Sequence, residues 1–307
     1  MTAEAISTYT DEDFLEEVFI EADDLQKLKY LLSKKRNIIL QGAPGTGKSF
    51  AARKLASLMV GRDIPDDPRV DFIQFHSHSS YENFIYGWRP NPSGGMRQRP
   101  GGFTRFCMRA NSDREHQYVV IIDEINRGNA ARIFGELISL LEADKRSDAV
   151  HPLTVTLPYS KEEFSVPGEV YIIGTMNTTD RSAGTLDYAV RRRFAFVTLK
   201  SDREAVRRAY ADSALGEKAV AVFDDVLKFI RDHNAGDLDI EDLMVGHSYF
   251  MAPDEDGLRL KIEYEVLPLI REYAKDGLLA VASDELERCS ATWCELAVPP
   301  TPIATAE

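Results

Sequence analysis

Residues 42–49 read Gly42-Ala43-Pro44-Gly45-Thr46-Gly47-Lys48-Ser49, the G-x-x-x-x-G-K-[ST] spacing of a loop that wraps a phosphate chain in backbone N–H groups. Glycines serve that wrapping because larger side chains would obstruct the approach of phosphate oxygens. In such a loop Lys48 reaches the β- and γ-phosphates and the Ser49 hydroxyl holds Mg²⁺. A helix opening near Gly47 adds its positive end, and Phe50 completes the nucleotide-binding set. A nucleoside triphosphate and Mg²⁺ are the predicted ligands.

Three further groups could act on that triphosphate. Asp123-Glu124 ends an apolar run, Tyr118–Ile122. Acids at the carboxyl end of a buried strand lie where ligands bind in open α/β sheets. Asp123 is expected to reach Mg²⁺ through water, and Glu124 to polarise the attacking water. Asn177 closes another apolar run within Gly174-Thr175-Met176-Asn177-Thr178-Thr179-Asp180-Arg181-Ser182. There it can hydrogen-bond the attacking water or the γ-phosphate. An Asn after a strand is by itself a turn residue, so that role rests on its company. Arg191-Arg192-Arg193 closes a helical stretch. Three consecutive arginines point different ways around a helix, so helix-end charge compensation cannot account for them all. An arginine donated to a neighbouring subunit's nucleotide is the sharper expectation.

The elements that must position these groups alternate. Spacings of three and four between apolar residues predict a helix over 11–35. Strands are expected at Ile38–Leu40, Val70–Phe75, Tyr118–Ile122, Val170–Thr175 and Phe194–Leu199, the third of them central and buried on both faces. Helices are expected at 101–112, 129–143 and 183–192 between them, which is the pattern of a parallel α/β sheet. Alternation over Leu153–Leu157 and Glu163–Val166 around a polar turn reads as an inserted β-hairpin. Beyond residue 201 only helical periodicity remains, at 202–211, 217–233 and 260–274. The expected division is an α/β nucleotide-binding domain over 1–200, a helical domain over 201–296, and a proline-rich, disordered tail over 297–307.

With 307 residues, 44% hydrophobic and 28% charged, the chain has room for about two ordinary globular domains. No apolar run is long enough to span a membrane, and the acidic start is unlike a signal peptide. The three cysteines, Cys107, Cys289 and Cys294, form no disulfide framework and lack zinc spacing. Cys289 and Cys294 read as buried helical thiols, and the compartment as a reducing cytoplasm. The net charge of −13 lacks the overall basic footprint of a free-standing DNA-binding domain. If nucleic acid matters, another chain or a missing segment is expected to supply most of the contact. His76 and His78, with no carboxylate cluster nearby, read as packing or interface residues.

Taken together, these segments resemble the AAA+ superfamily and, within it, the McrB family, GTP-dependent motors of McrBC-type restriction systems. The resemblance runs from about residue 9 to 275. It is carried by Gly42–Ser49, Asp123–Asn129, Met176–Ser182, Tyr188–Phe194 and Val245-Gly246-His247-Ser248-Tyr249-Phe250. Phe75–Phe84 and Gly87–Asn91 also match. The resemblance implies an AAA+ P-loop NTPase fold, a parallel sheet sandwiched by helices with an inserted hairpin and a small C-terminal helical lid. It also implies that Asn177 is the water-positioning sensor, that Asp180 belongs to the same signature loop, and that Arg192, with Arg193 beside it, is the finger acting across subunits. His247 reads as a lid hydrogen-bonding residue. Further implications are a hexameric ring, GTP as substrate, and DNA translocation with an McrC-like endonuclease subunit.

The chain departs from the family in places. Only 41 residues precede the phosphate loop, too few for an N-terminal domain that reads modified DNA. Such a domain has been removed or that role belongs to a partner, so methylcytosine specificity does not carry over. No distinct second sensor arginine stands out, Arg231 and Arg271 being the candidates. The N/T-K-x-D guanine-reading motif of Ras-like GTPases is absent, so the residues alone leave GTP and ATP open. A MoxR-like ATPase chaperone that remodels protein complexes is the alternative. A nucleotide-regulated scaffold without turnover fits less well with Glu124 and the arginines present.

Overall fold

Thr10 caps the first helix, α1 (Asp11–Glu17), in a reciprocal capping box with Asp13. Val18 then adopts an extended conformation, and a second helix, α2 (Ala22–Lys35), runs to Arg36 in the left-handed region. The single helix expected over 11–35 is therefore two. The computed structural model describes residues 8–180, 184–210, 213–236 and 238–297. Contacts divide the chain into two compact units: Met1–Gln41 with Lys48–Thr198, and Gly42–Gly47 with Leu199–Glu307.

In the first unit, β1 (Asn37–Gly42) leads through the phosphate loop to α3 (Lys48–Val60) and then β2 (Val70–Gln74). Next come α4 (Tyr81–Phe84), a hairpin of β3 (Tyr86–Pro90) and β4 (Met96–Pro100), and α5 (Gly102–Asn111). The chain continues through β5 (Tyr118–Asp123), α6 (Ala130–Phe134) and a 3₁₀ stretch, Gly135–Leu141. The paired strands β6 (Val155–Thr156) and β7 (Glu163–Phe164) follow, then β8 (Val170–Asn177), α7 (Tyr188–Arg191) and β9 (Ala195–Thr198).

Five strands form one sheet in the order β2-β5-β8-β1-β9, with parallel registers for β2–β5, β5–β8 and β1–β9. This is the α/β fold expected. Strand β5 is buried at every residue, as its apolar run requires, but β8 rather than β5 occupies the middle position. On one side the core centres on phenylalanines: Phe84 stacks on Phe103 at 5.1 Å and meets Phe75 and Phe134 edge-on at 5.3 and 5.2 Å. Burying each such ring contributes about 2–3 kcal/mol. That cluster anchors α4 and α5, the two supports of the β3–β4 hairpin, which is absent from the sequence reading.

Two helical expectations shorten. The stretch 129–143 is α6 followed by 3₁₀ turns, because Gly135 turns into the left-handed region at φ 54°. Of 183–192, only Tyr188–Arg191 is helical, started by Asp187 accepting from the Ala189 N–H, while Ala183 lies outside the described residues.

The second unit is helical: α8 (Arg203–Ala209), α9 (Ala214–His233), α10 (Ile240–Leu243), α11 (Glu255–Lys261), one π turn over Ile262–Val266, α12 (Leu267–Lys275) and α13 (Ser283–Ala297). Its core gathers Phe223, Phe229, Phe250, Ile270 and Trp293. Cys289 and Cys294 lie on α13 half-buried rather than buried, whereas Cys107 is fully buried. The proline-rich tail from Val298 onward lies outside the described residues, as do Arg181 and Ser182. No helix among the described residues is long and apolar enough to cross a membrane.

Candidate active site

Three elements of the first unit converge on one carboxylate oxygen. Asp123 Oδ1, at the end of β5, accepts from the Ser49 hydroxyl of α3 at 2.6 Å and from the Thr175 hydroxyl of β8 at 2.7 Å. The register of β5 on β8 brings this about, since Ile122 sits opposite Gly174 one step earlier. Thr175 Oγ1 also accepts from the Glu124 N–H at 3.1 Å, so a single hydroxyl ties both acids to the neighbouring strand.

Glu124 adopts φ 53°, the left-handed region that a side chain disfavours. Such a conformation costs about 1–3 kcal/mol and persists where surrounding contacts fix it. Those contacts are specific. The Glu124 Oε1 accepts from Asn177 Nδ2 at 2.8 Å, and its Oε2 accepts from Arg127 Nε at 3.2 Å. The Arg127 guanidinium also donates to Asp180 at 2.7 Å. Glu124, Asn177 and Asp180 are thus gathered into one network, with Asp180 reaching Glu124 through Arg127. Arg127 and Thr175 were not singled out from the sequence; their signal is an Arg three residues beyond Glu124 and a hydroxyl two residues before Asn177.

Lys48 is buried at the start of α3, and burial pushes its ammonium down to about 8 against the opposing pull of Glu124 and Asp123. Phe50, two residues on, stays about half exposed. The Ser49 hydroxyl and the Asp123 carboxylate are hard oxygen donors in mutual contact, the donor type that Mg²⁺ takes. Among the described residues no cluster of three or more His, Cys, Asp or Glu could hold a metal.

Within the second unit, the loop Gly42-Ala43-Pro44-Gly45-Thr46-Gly47 is braced by the segment after α10. The Gly246 N–H donates to the Pro44 carbonyl at 2.8 Å and the Ser248 N–H to the Gly45 carbonyl at 3.2 Å. Thr46 Oγ1 donates to the Ala43 carbonyl at 3.0 Å inside the loop. Gly45 has φ 79°, and a Cβ there would lie 2.5 Å from the Tyr249 ring. A Cβ on Gly246 would overlap the Gly45 carbonyl carbon. Glycine at both positions permits this close approach. His247 corrects the expectation of a hydrogen-bonding lid residue: its ring is buried, its Nδ1 has no partner among the described residues, and burial lowers its pKa.

The arginine triplet separates. Arg191 stacks over the Phe196 ring at 4.6 Å. Arg193 is buried, pairs with Glu142 at 3.1 Å and donates to the Ala189 carbonyl at 2.6 Å. Arg192 is 67% exposed and lies only loosely against Glu142, at 3.4 Å. Asn37 fixes the turn by donating its side-chain amide to the Arg193 carbonyl at 2.9 Å. Arg231 and Arg271 are both exposed on their helices. His76 and His78 are exposed, and the His78 N–H donates to His76 Nδ1 at 3.1 Å.

Residues 37–194 match the family model of the AAA domain, dynein-related subfamily, and residues 223–281 match that of the McrB alpha-helical lid domain. The chain is 39% identical over 285 residues to the type IV methyl-directed restriction enzyme EcoKMcrB subunit of Escherichia coli, a match covering 88% of this chain and 60% of that protein. It is 30% identical over 215 residues to the type II restriction enzyme BsuMI component YdiS of Bacillus subtilis, covering 58% and 61% respectively. The chain therefore spans about three-fifths of the length of these two relatives.

Proposed function

This chain belongs to the McrB family of AAA+ P-loop NTPases, and from that premise we propose that it is a GTP-hydrolysing ring motor that moves DNA for a partner endonuclease in a restriction complex. The observation that carries this reading is the Glu124 carboxylate, held by Asn177 and Arg127 beside the Asp123–Ser49 pair. That arrangement suits turnover rather than mere retention of nucleotide.

In the proposed reaction the loop N–H groups and Lys48 hold the triphosphate. Glu124 accepts the proton of the attacking water, and Asn177 keeps the carboxylate aimed at it. Ser49 and Asp123 would hold Mg²⁺, which when bound offsets charge on the β- and γ-phosphates. Arg192, exposed and only loosely paired, serves a neighbouring subunit's nucleotide, whereas Arg191 lies over the Phe196 ring and Arg193, committed to Glu142 and Ala189, supports the turn's geometry. Shared sites make the isolated subunit a poor hydrolase, and a closed ring, in the proposal a hexamer, gives every subunit a neighbour.

Relatedness to two restriction-enzyme components supports the DNA role and the endonuclease partner. Steady-state hydrolysis of GTP and ATP, measured side by side over a range of protein concentrations with and without DNA, tests the proposal. GTP turnover per subunit should climb with concentration and respond to DNA. A per-subunit rate that is flat across assembly, or equal turnover of both nucleotides with no DNA response, would overturn it.

A further inference from the structure

The net charge of −13 conceals an opposite local balance. Between Glu82 and Asp113 there is no acidic residue, while arginines occupy positions 89, 97, 99, 105 and 109. This stretch contains the β3–β4 hairpin. Its register sets Arg89 opposite Arg97 and Gly87 opposite Arg99, so these four positions share one face. Like charges directly opposite on a strand pair destabilise it, and a protein that keeps them is using them for something besides folding. Arg89 is partly occupied by the Asn83 side chain and the Glu82 carbonyl. Arg97 and Arg99 are exposed and have no hydrogen-bond or ion-pair partner among the described residues.

The hairpin projects outward. Its turn closes through the Asn91 N–H on the Gly95 carbonyl at 3.0 Å and the Gly94 N–H on the Asn91 carbonyl at 2.8 Å. A Cβ added at Gly94 or Gly95 would meet nothing within 4 Å. At its base, Gly87 lies tightly on Glu82 of α4, and Thr104 of α5 donates to the Ile85 carbonyl at 2.7 Å. The arginines are therefore presented from a fixed stem.

We propose that this face of the β3–β4 hairpin binds the phosphate backbone of DNA, with Arg97 and Arg99 as its charged contacts. The proposal rests on the reading of the chain as a DNA motor and names the element that grips. Two residues of strand advance about 6.8 Å, close to the axial rise of two nucleotides in one strand of a duplex. Successive arginines on the face are thus spaced on the scale of the phosphate repeat. An acidic protein is the weaker fit, because the centre of a protein interface is apolar and this face has no large apolar side chain.

Fluorescence anisotropy of the full chain with a labelled DNA duplex, across a salt series and with a non-hydrolysable GTP analogue, tests the proposal. Each phosphate contact contributes about 0.9 to the slope of log affinity against log salt. The R97Q/R99Q double variant should lower that slope by about two and weaken binding at low salt by about ten- to a hundredfold. R97K/R99K should keep the wild-type slope, because charge is retained. Hydrolysis without DNA should be unchanged in both. Equal slopes and affinities for wild type and R97Q/R99Q would overturn the hairpin's role while leaving the motor reading intact. No DNA binding by the wild type would overturn both. Competition by polyglutamate as effective as by unlabelled DNA would overturn the DNA assignment in favour of an acidic protein.

Discussion

Asn177 donates its side-chain amide to the Glu124 carboxylate at 2.8 Å, linking the ends of β8 and β5 at the candidate water-activating group. The two residues should accordingly fail in different ways. Replacing Glu124 by Gln removes the proton acceptor, and turnover should fall by about 10²–10⁴. Triphosphate affinity should remain, since Lys48, Ser49 and Asp123 are untouched. Asn177→Ala leaves the acceptor and removes its orientation, so a smaller loss in kcat with the same nucleotide Kd is expected. Single-turnover hydrolysis beside fluorescent-nucleotide titration separates the two; normal turnover by Glu124→Gln would take Glu124 out of the chemistry.

Arg127 braces the other oxygen of the same carboxylate while also holding Asp180. It is nearly half exposed, so solvent screens these pairs and they add little to stability. Its contribution should instead appear in rate. Arg127→Ala should lower kcat by about tenfold, the cost of about one charged hydrogen bond, with KM unchanged. Arg127→Lys, which keeps charge but not the fork, should recover only part of this. A rise in KM without a change in kcat would place Arg127 in nucleotide binding instead.

Lys48 predicts a pH dependence of binding. Burial pushes its ammonium down to about 8, so in the nucleotide-free protein the charge that grips the phosphates is lost above that pH. Triphosphate affinity should fall towards tenfold per pH unit beyond about 8, with uptake of a proton on binding. The stability contribution runs the other way. Between about 8 and the ordinary lysine value of 10.5, the unfolded chain holds the extra proton, so this group stabilises the empty fold progressively as pH rises. Titrations in buffers of different ionisation enthalpy measure the proton uptake, and a flat affinity from about pH 7 to about pH 9.5 would contradict it.

Gly246 tests the brace on the phosphate loop. A methyl group there overlaps the Gly45 backbone, and neither side can yield without moving the loop. Overpacking of this kind costs about 1–3 kcal/mol, so Gly246→Ala should weaken triphosphate binding by about ten- to a hundredfold. Equilibrium nucleotide titration, with circular dichroism to confirm retained helix content, reads the effect. Unaltered affinity would mean that the loop takes its shape without Gly246.

The parts of this fold that were legible are those where burial dictates residue type. Strands β1, β5 and β8 announce themselves because both faces are covered, leaving unbroken apolar runs such as Tyr118–Ile122. The β3–β4 hairpin was invisible for the converse reason: Trp-Arg-Pro and Met-Arg-Gln-Arg bury almost nothing, and pairing rests on backbone hydrogen bonds. The break between α1 and α2 hides within a helical spacing that continues across it. At the site, motif spacing marked Lys48, Asp123, Glu124 and Asn177. Thr175 and Arg127 carry no spacing rule; they become visible only when β8 is set beside β5 and their polar atoms meet the acids. Three arginines in a row could not be told apart by sequence, because burial sets Arg193 apart and the Phe196 ring sets Arg191 apart, and both are properties of the folded turn.

That difference in burial gives the arginines separable phenotypes. Arg193 is 5% exposed, shares the half-buried Glu142 with its neighbour and donates to the Ala189 carbonyl, so Arg193→Ala removes a buried donor from both and should lower Tm measurably. Arg192 is exposed, and its removal should cost almost no stability. If it completes the site of an adjoining subunit, Arg192→Ala should nonetheless reduce turnover by about 10³–10⁵ while nucleotide binding persists. The decisive measurement mixes two inactive proteins. Glu124→Gln lacks the acceptor but offers a finger, and Arg192→Ala lacks the finger but keeps the acceptor. Mixed rings contain interfaces where an intact Glu124 faces an intact Arg192, so activity should reappear on mixing. If the mixture stays as inactive as its components while size-exclusion chromatography shows that they co-assemble, Arg192 acts within its own subunit and the shared-site mechanism fails.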